Sequence, residues 1–527
     1  MPQTVASFIP NFWQPHLETD LELIKLHSSA GDDVCVYVCG GELPSCYGNM
    51  QHENDTCGSC MARRRNGFAM LGLDDVTLRN FVNLKDGDRE TLQKYKGLRP
   101  RTIEELREIS FEECYVGRAV FNELVSHIRD SEPNLEEHAE YVTQAIEAGV
   151  LVYLSFKNNF AARRPDRFYT FNGRFVVSNA AIAAAKVMAV PFGVHDRSFV
   201  MNKYTLILDH SLHSVNYWSS QAKLHWEQSA DPESKKIEIG SEWFEQRARG
   251  EKQGWYSMVA GQKDSLPESF NPERTNVVIF NTSEFETVGL DEYALRFYTG
   301  QNEGIERIAR DLLPSENIQI YLRVHPNLKG WDNPQTRGIA QLVDRYRNLH
   351  VIPSDSPIST YSLLHSCDVV LTFGSTMGVE AAFARVPSVL LGQSYYQALD
   401  CCHLPTSHLE LLDLLRSETF RLSQEEQDKR RLGATKYGYF MATGGVPFKF
   451  FEQTDVFEMR EKTSNRPIPY HSVAQLSTTV DELRGYNEAL TTEVESLRKA
   501  HASAASAPFH RIRSLGSSVK SGFRRLL

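Results

Sequence analysis

Three runs in the second half of this 527-residue chain place small and polar side chains directly behind apolar stretches. Asn281-Thr282-Ser283-Glu284 follows one, His325-Pro326-Asn327 another, and Gly374-Ser375-Thr376-Met377-Gly378-Val379-Glu380 a third. Glycines and hydroxyls that open a helix expose backbone N–H groups at its positive end, where a diphosphate can bind without a Walker A loop. Ser375 and Thr376 add hydroxyl donors, and Arg323 and His325 add a cation and an imidazole. Glu380, about one turn into that helix, could accept from ribose or sugar hydroxyls. Gly374, Gly378, Ser283 and Glu284 complete the expected phosphate- and sugar-binding set. Singly, these residues read as an N-cap, a solvated helix carboxylate and a strand-end histidine; on successive strand ends of one sheet they favour a site.

In the first half, His195-Asp196-Arg197 ends another apolar run. Asp196 or His195 could take the proton of an attacking hydroxyl. The competing reading is a turn bonded to its own backbone. Asp86-Gly87-Asp88 matches a metal-binding D-x-D triplet but lies in a charged loop with no preceding strand, so it reads as a turn. No catalytic metal is expected. Five of the nine cysteines fall within residues 35–60, and among them Cys39, Cys46, Cys57 and Cys60 could hold a structural zinc, with His52 as a substitute ligand. Reduced thiols in a tight loop carry equal weight, because the spacing is not a standard zinc pattern. Arg63-Arg64-Arg65 reads either as a solvated surface or as a grip on an anionic acceptor.

The elements that must hold these groups follow from the patterning. An apolar run at 5–9, an amphipathic stretch at 16–27, Gly31 and a second run at 34–38 predict strand, helix and strand, the opening of a Rossmann-like domain. Apolar positions recurring every three or four residues around Phe121, Leu124, Val125 and Ile128 predict helices across 88–150. A strand ending in a turn is expected at 167–174, an alanine-rich helix at 178–189 and a strand with a polar tip at 191–197. Residues 228–274 are polar and are expected to carry the passage between domains. Five short strands at 277–280, 318–324, 350–352, 369–373 and 388–391, most of them separated by helical segments, predict a parallel, doubly wound sheet. Ligands bind outside the carboxyl ends of such strands, where the polar runs lie.

Val480, Leu483, Asn487, Leu490, Val494 and Leu497 occupy a and d positions of three heptads, which predicts a short coiled coil and a homodimer through 479–500. Residues 510–527 hold five Arg or Lys and no acid, and suit either an amphipathic helix on an anionic membrane or a disordered tail.

Length implies two large domains with a cleft, and 41% hydrophobic with 24% charged residues excludes a disordered or fibrous chain. The net charge of -10 argues against a nucleic-acid partner. The N-terminus lacks the basic and apolar regions of a leader, and no window reaches the roughly 20 apolar residues of a membrane span. The expected location is cytoplasmic, peripheral on the membrane at most.

The runs Leu322-Arg323-Val324-His325-Pro326, 368–382 with its S-T-x-G-x-E-A helix start, and Val386-Pro387-Ser388-Val389-Leu390-Leu391-Gly392 resemble the C-terminal domain of GT-B glycosyltransferases, bacterial capsule polysaccharide biosynthesis proteins in particular. In that family an H-P step and this helix start form the donor site. Phe171-Asn172-Gly173-Arg174 and His195-Asp196-Arg197 resemble its N-G-R and H-E-R-G turns, with Asp196 where glutamate is usual and Ser198 where glycine is usual. The resemblance implies two Rossmann-like domains, an acceptor domain at 1–270 with a Cys-rich insertion and a nucleotide-sugar domain at 271–455, followed by a linker at 456–478, the coiled coil at 479–500 and the basic tail at 501–527. It implies transfer of a sugar from a nucleotide-sugar substrate to a glycan or lipid-linked acceptor in surface polysaccharide synthesis. A sugar-nucleotide epimerase, a polyol-phosphate transferase and a non-catalytic scaffold are the competing readings.

Overall fold

The computed structural model describes residues 2–470 apart from Asn11, Ser257 and Ala260. The heptads over 479–500 and the basic tail 501–527 lie outside the described residues.

The first half builds β1 (Thr4–Ile9), β2 (Asp33–Val38), β3 (Thr77–Asn80), β4 (Arg167–Phe171), β5 (Phe192–Arg197) and β6 (Lys203–Leu208). The second half builds β7 (Thr275–Phe280), β8 (Ile318–Arg323), β9 (Leu349–Ile352), β10 (Val369–Thr372) and β11 (Ser388–Leu390). Three short strands close the described chain: β12 (Val446–Pro447), β13 (Phe451–Asp455) and β14 (Glu458–Glu461). Two main sheets result, ordered β12-β6-β5-β4-β1-β2-β3 and β11-β10-β7-β8-β9. This is the pair of Rossmann-like, doubly wound sheets that the patterning implied.

The second sheet is parallel throughout, with Val277 opposite Val369 and Ile320, and Ile279 opposite Leu371 and Leu322. Every residue of β7 is buried, as helices on both faces require. The order in which strands are added switches side between β7 and β10, and in the first sheet between β1 and β4, although both pairs are parallel, so each sheet opens a crevice at the carboxyl ends of those strands. β6 and β12 run antiparallel at one edge of the first sheet.

Two features depart from the linear reading. The polar 228–274 stretch contains the helix Glu233–Ala248, which crosses the helix Gln424–Thr443 at two glycines. A Cβ on Gly438 would meet the Gly240 carbonyl at 2.3 Å, and one on Gly240 the Thr435 carbonyl at 2.3 Å, so the backbones touch only because both positions lack a side chain. Beyond that crossing the chain returns to the first sheet: β12 pairs with β6, and Phe451, Met459 and Ile468 share a core with Val5 and Val34. Among the described residues, no helix is long and apolar enough to cross a membrane.

Candidate active site

A cavity of about 440 Å³ lies where the carboxyl ends of the two sheets face each other. One wall carries Asp196 and Arg197 from the end of β5; the other carries Asn281 after β7, Arg323 at the end of β8, His325, and Ser375, Thr376 and Glu380 beyond β10. Six residues expected at the site, Asp196, Arg323, His325, Ser375, Thr376 and Glu380, thus meet in one space.

The phosphate-side donors differ from the backbone cradle expected. Thr372 Oγ1 accepts from the N–H groups of Gly374 (3.3 Å) and Ser375 (2.8 Å), so both are already satisfied. The helix that follows, Met377–Phe383, spans only seven residues, which limits its dipole. The side chains beside them keep free donors. Ser375 Oγ accepts from the Met377 N–H at 3.2 Å and Thr376 Oγ1 accepts from Arg247 Nη2 at 3.3 Å, leaving both hydroxyl protons to donate. His325 Nδ1 accepts from the Asn327 N–H at 3.2 Å, which puts the proton of the neutral ring on Nε2. Burial, with Arg323 adding to it, lowers the His325 pKa to about 4, so the ring is a neutral donor at neutral pH. Arg323 is clamped by the carbonyls of Pro353 and Ser356, while its Nε–H has no partner among the described residues. Gly374 sits at φ 132°, a backbone conformation that disfavours any side chain, and a Cβ there would also meet the Gln393 carbonyl at 2.8 Å. Gly374 and Gly378 shape the turn from behind and do not line the cavity.

Glu380 reaches the cavity, but both its oxygens are engaged. Arg247 donates to Oε1 through Nε (3.2 Å) and Nη2 (3.0 Å), and the Tyr361 hydroxyl donates to Oε2. Ser283 and Glu284 stand behind the wall. Ser283 Oγ is 3.5 Å from His325 Nδ1, and Glu284 Oε1 accepts from the Gln301 N–H at 2.7 Å, at the start of the helix Gln301–Leu312.

On the opposite wall, Asp196 accepts from Asn172 Nδ2 at 2.5 Å and from the Arg197 N–H at 2.7 Å, with His16 Nδ1 at 3.7 Å. Burial pushes its pKa up, but His16, Arg197 and these hydrogen bonds outweigh it and hold the carboxyl below its ordinary value. Burial lowers His16 to about 4. Asp196 is therefore an ionised carboxylate beside a neutral imidazole near neutral pH.

His195 does not join it. Successive residues of a strand point to opposite faces, so with Asp196 at the cleft His195 turns inward. It is fully buried and pairs with Asp20 at 2.7 Å, a partner on the buried helix His16–Ser29 that its position in the sequence does not signal. The cysteine expectation is also corrected. Cys39, Cys46, Cys57 and Cys60 line one small cavity of about 30 Å³ with His52. Yet among the described residues no group of three or more His, Cys, Asp or Glu side chains is placed to hold a metal ion. Cys57 and Cys60 ride one turn of the helix Asn54–Met70, and burial raises the thiol of Cys60 to about 11 and that of Cys46 well above its ordinary value. Asp86-Gly87-Asp88 opens the helix Asp86–Tyr95, and Asp88 Oδ2 accepts from the Lys85 N–H at 2.9 Å. Arg63 and Arg64 are buried: Arg63 pairs with Glu18 and Arg64 Nη2 donates to the Cys39 carbonyl at 2.8 Å.

The sequence reading missed Trp243 and Arg247, which reach the cavity from the crossing helix, together with Tyr361, Trp255 and Tyr256. The adjacent Trp255-Tyr256 pair inside a polar stretch was the available signal.

Residues 291–400 match the family model of capsule polysaccharide biosynthesis proteins. No curated protein matches the chain. Among solved structures, the Thermosulfurimonas dismutans KpsC, beta Kdo 2,4 transferase, is 12% identical with a TM-score of 0.33, over 51% of this chain and 79% of that one. Spinosyn rhamnosyltransferase SpnG is 12% identical with a TM-score of 0.26, over 83% and 95%. UDP-GlcNAc 2-epimerase from Neisseria meningitidis, bound to UDP-GlcNAc, is 10% identical with a TM-score of 0.26, over 82% and 97%. The segment that contributes Arg323, His325, Ser375, Thr376 and Glu380 to the cavity is therefore the part of this chain that matches the capsule polysaccharide biosynthesis protein family.

Proposed function

We propose that this protein is a glycosyltransferase that moves a sugar from a nucleotide-activated donor to a hydroxyl of a glycan acceptor during surface polysaccharide synthesis. The observation that carries the reading is a single cavity with uncharged and cationic donors on one wall and an ionised carboxylate on the other. The donor's phosphates lie against Ser375, Thr376 and His325 Nε2, with the buried positive charge of Arg323 behind them, and these groups stabilise the negative charge that grows as the anomeric C–O bond breaks. The acceptor oxygen forms the new bond to the anomeric carbon, and its proton passes to Asp196. A carboxylate held below its ordinary pKa takes that proton late, once the oxygen has acquired positive character. Glu380 is a positioning residue, holding Arg247 against Thr376.

The test is a thermal-shift panel of UDP, GDP, CMP and CDP against wild type and Ser375→Ala, because selective binding to the folded state raises apparent stability. One nucleotide should stabilise the wild type and leave Ser375→Ala close to its unliganded midpoint. A flat response of the wild type to all four sinks the proposal.

A further inference from the structure

The mouth of the cavity on the Asp196 side carries three large aromatic side chains that the transfer reaction leaves unused. Trp255, Tyr256 and Phe457 are 41%, 42% and 44% exposed. They nevertheless form one cluster. Trp255 and Phe457 meet edge to face with ring centroids 5.3 Å apart, and Tyr256 lies 6.1 Å from Trp255 and 6.2 Å from Phe457. The Arg197 guanidinium stands 4.2 Å over Trp255 and 5.1 Å over Phe457. Trp255, Tyr256 and Arg197 also line the cavity, so the cluster continues its wall one residue along β5 from Asp196.

Exposed aromatic surface of this size beside a cleft marks a contact surface. Its chemistry selects the occupant. An aromatic face suits the C–H face of a pyranose, while the hydroxyls at the ring's edge need polar partners. Glu251 and Gln253 line the same wall, and Lys252, paired with Asp455 at 3.2 Å, stands 5.4 Å from the centre of the Tyr256 ring. A lipid chain there would desolvate those polar groups without replacing their hydrogen bonds. The cluster is also anchored on the acceptor side: the Gly254 N–H donates to the Phe199 carbonyl at 2.9 Å, and the β13–β14 hairpin that bears Phe457 packs into the core of the first sheet.

We propose that Trp255, Tyr256 and Phe457 form a stacking platform for a sugar ring of the glycan acceptor, beside Asp196. The proposal rests on the transferase reading for the word acceptor, but sugar binding is readable without turnover. Saturation-transfer NMR on the full chain, with the methyl β-glycosides of glucose, galactose and N-acetylglucosamine as probes, tests it. The wild type should transfer saturation to the C–H protons of at least one glycoside, Trp255→Ala and Phe457→Ala should each weaken this about fivefold, and Trp255→Phe should keep most of it. The nucleotide thermal shift should be the same in all four proteins. No transfer to any probe, or equal transfer in wild type and Trp255→Ala, overturns the platform and leaves the nucleotide response, which tests the transferase reading, intact. A Trp255→Ala protein that keeps its melting midpoint but loses the nucleotide shift assigns the rings to the nucleobase and overturns it equally.

Discussion

At the scale of single residues, the cavity separates two tasks by charge state. His325 and Asp196 both sit in surroundings that fix one protonation form near neutral pH, the ring neutral with its proton on Nε2 and the carboxyl ionised. In the proposed reaction a neutral donor would stabilise a departing phosphate without repelling the neighbouring Arg323, and an ionised acceptor would be ready for a proton. Asp196→Asn keeps the size and can still hydrogen-bond but cannot accept that proton. It should lower kcat roughly a hundredfold to ten-thousandfold while the nucleotide thermal shift stays at the wild-type value. A kcat within about twofold of wild type removes Asp196 from the mechanism. His195 shows why adjacency in sequence misleads at this scale, since the pleat sends neighbouring side chains to opposite sides.

At the scale of elements, the cavity is held by a tie between two helices. Arg247 on Glu233–Ala248 reaches Glu380 on Met377–Phe383, and Tyr361 closes the second carboxylate oxygen. Glu380 is 3% exposed and Arg247 34% by side chain, so removing the carboxylate strands a partly hydrated guanidinium, a smaller penalty than for a wholly buried pair. Glu380→Ala should therefore cost about 2 kcal/mol of stability by chemical denaturation. A loss below about 0.5 kcal/mol shows that the tie is not holding the helices. The same helix pair explains why the 228–274 stretch reads as a passage: most of its surface is polar, and the face it buries is narrow, Gly240 and Gly438 giving close backbone contact beside Trp243 and Phe244.

At the scale of the whole molecule, buried ionisable groups set opposing slopes of stability with pH. Burial lowers His16, His213 and His325 to about 4. Their contribution is complete above the ordinary imidazole value and is lost as pH falls towards 4, because the unfolded chain binds protons that the folded one cannot. Glu123 runs the other way. Burial raises it to about 7 even though it accepts from Tyr141 and from the Val176 N–H, both at 2.9 Å. Its contribution is complete below the ordinary carboxylate value and disappears as pH rises through about 7. Glu123→Gln should therefore lose less thermal stability than the wild type between about pH 5 and pH 8. Parallel Tm curves for the two proteins would show that Glu123 is not charged against its burial.

The sequence by itself determined the second sheet, four strands of the first, and most of the cavity wall that carries Ser375 and Thr376. Short β-branched runs such as Val277–Ile279 that alternate with helical segments fit parallel strands buried on both faces, and the residues behind them then crowd one sheet edge, which is how Arg323, His325, Ser375 and Thr376 were legible. Tertiary structure decided what depends on orientation and on distant partners. It turned His195 inward to Asp20, closed Glu380 with Arg247 and Tyr361, satisfied the Gly374 and Ser375 N–H groups through Thr372, and kept the cysteines from forming a metal-holding group among the described residues. Local pattern encodes which face of an element is buried. Which groups meet across a cleft depends on packing between segments far apart in the chain, such as Glu233–Ala248 and Gln424–Thr443.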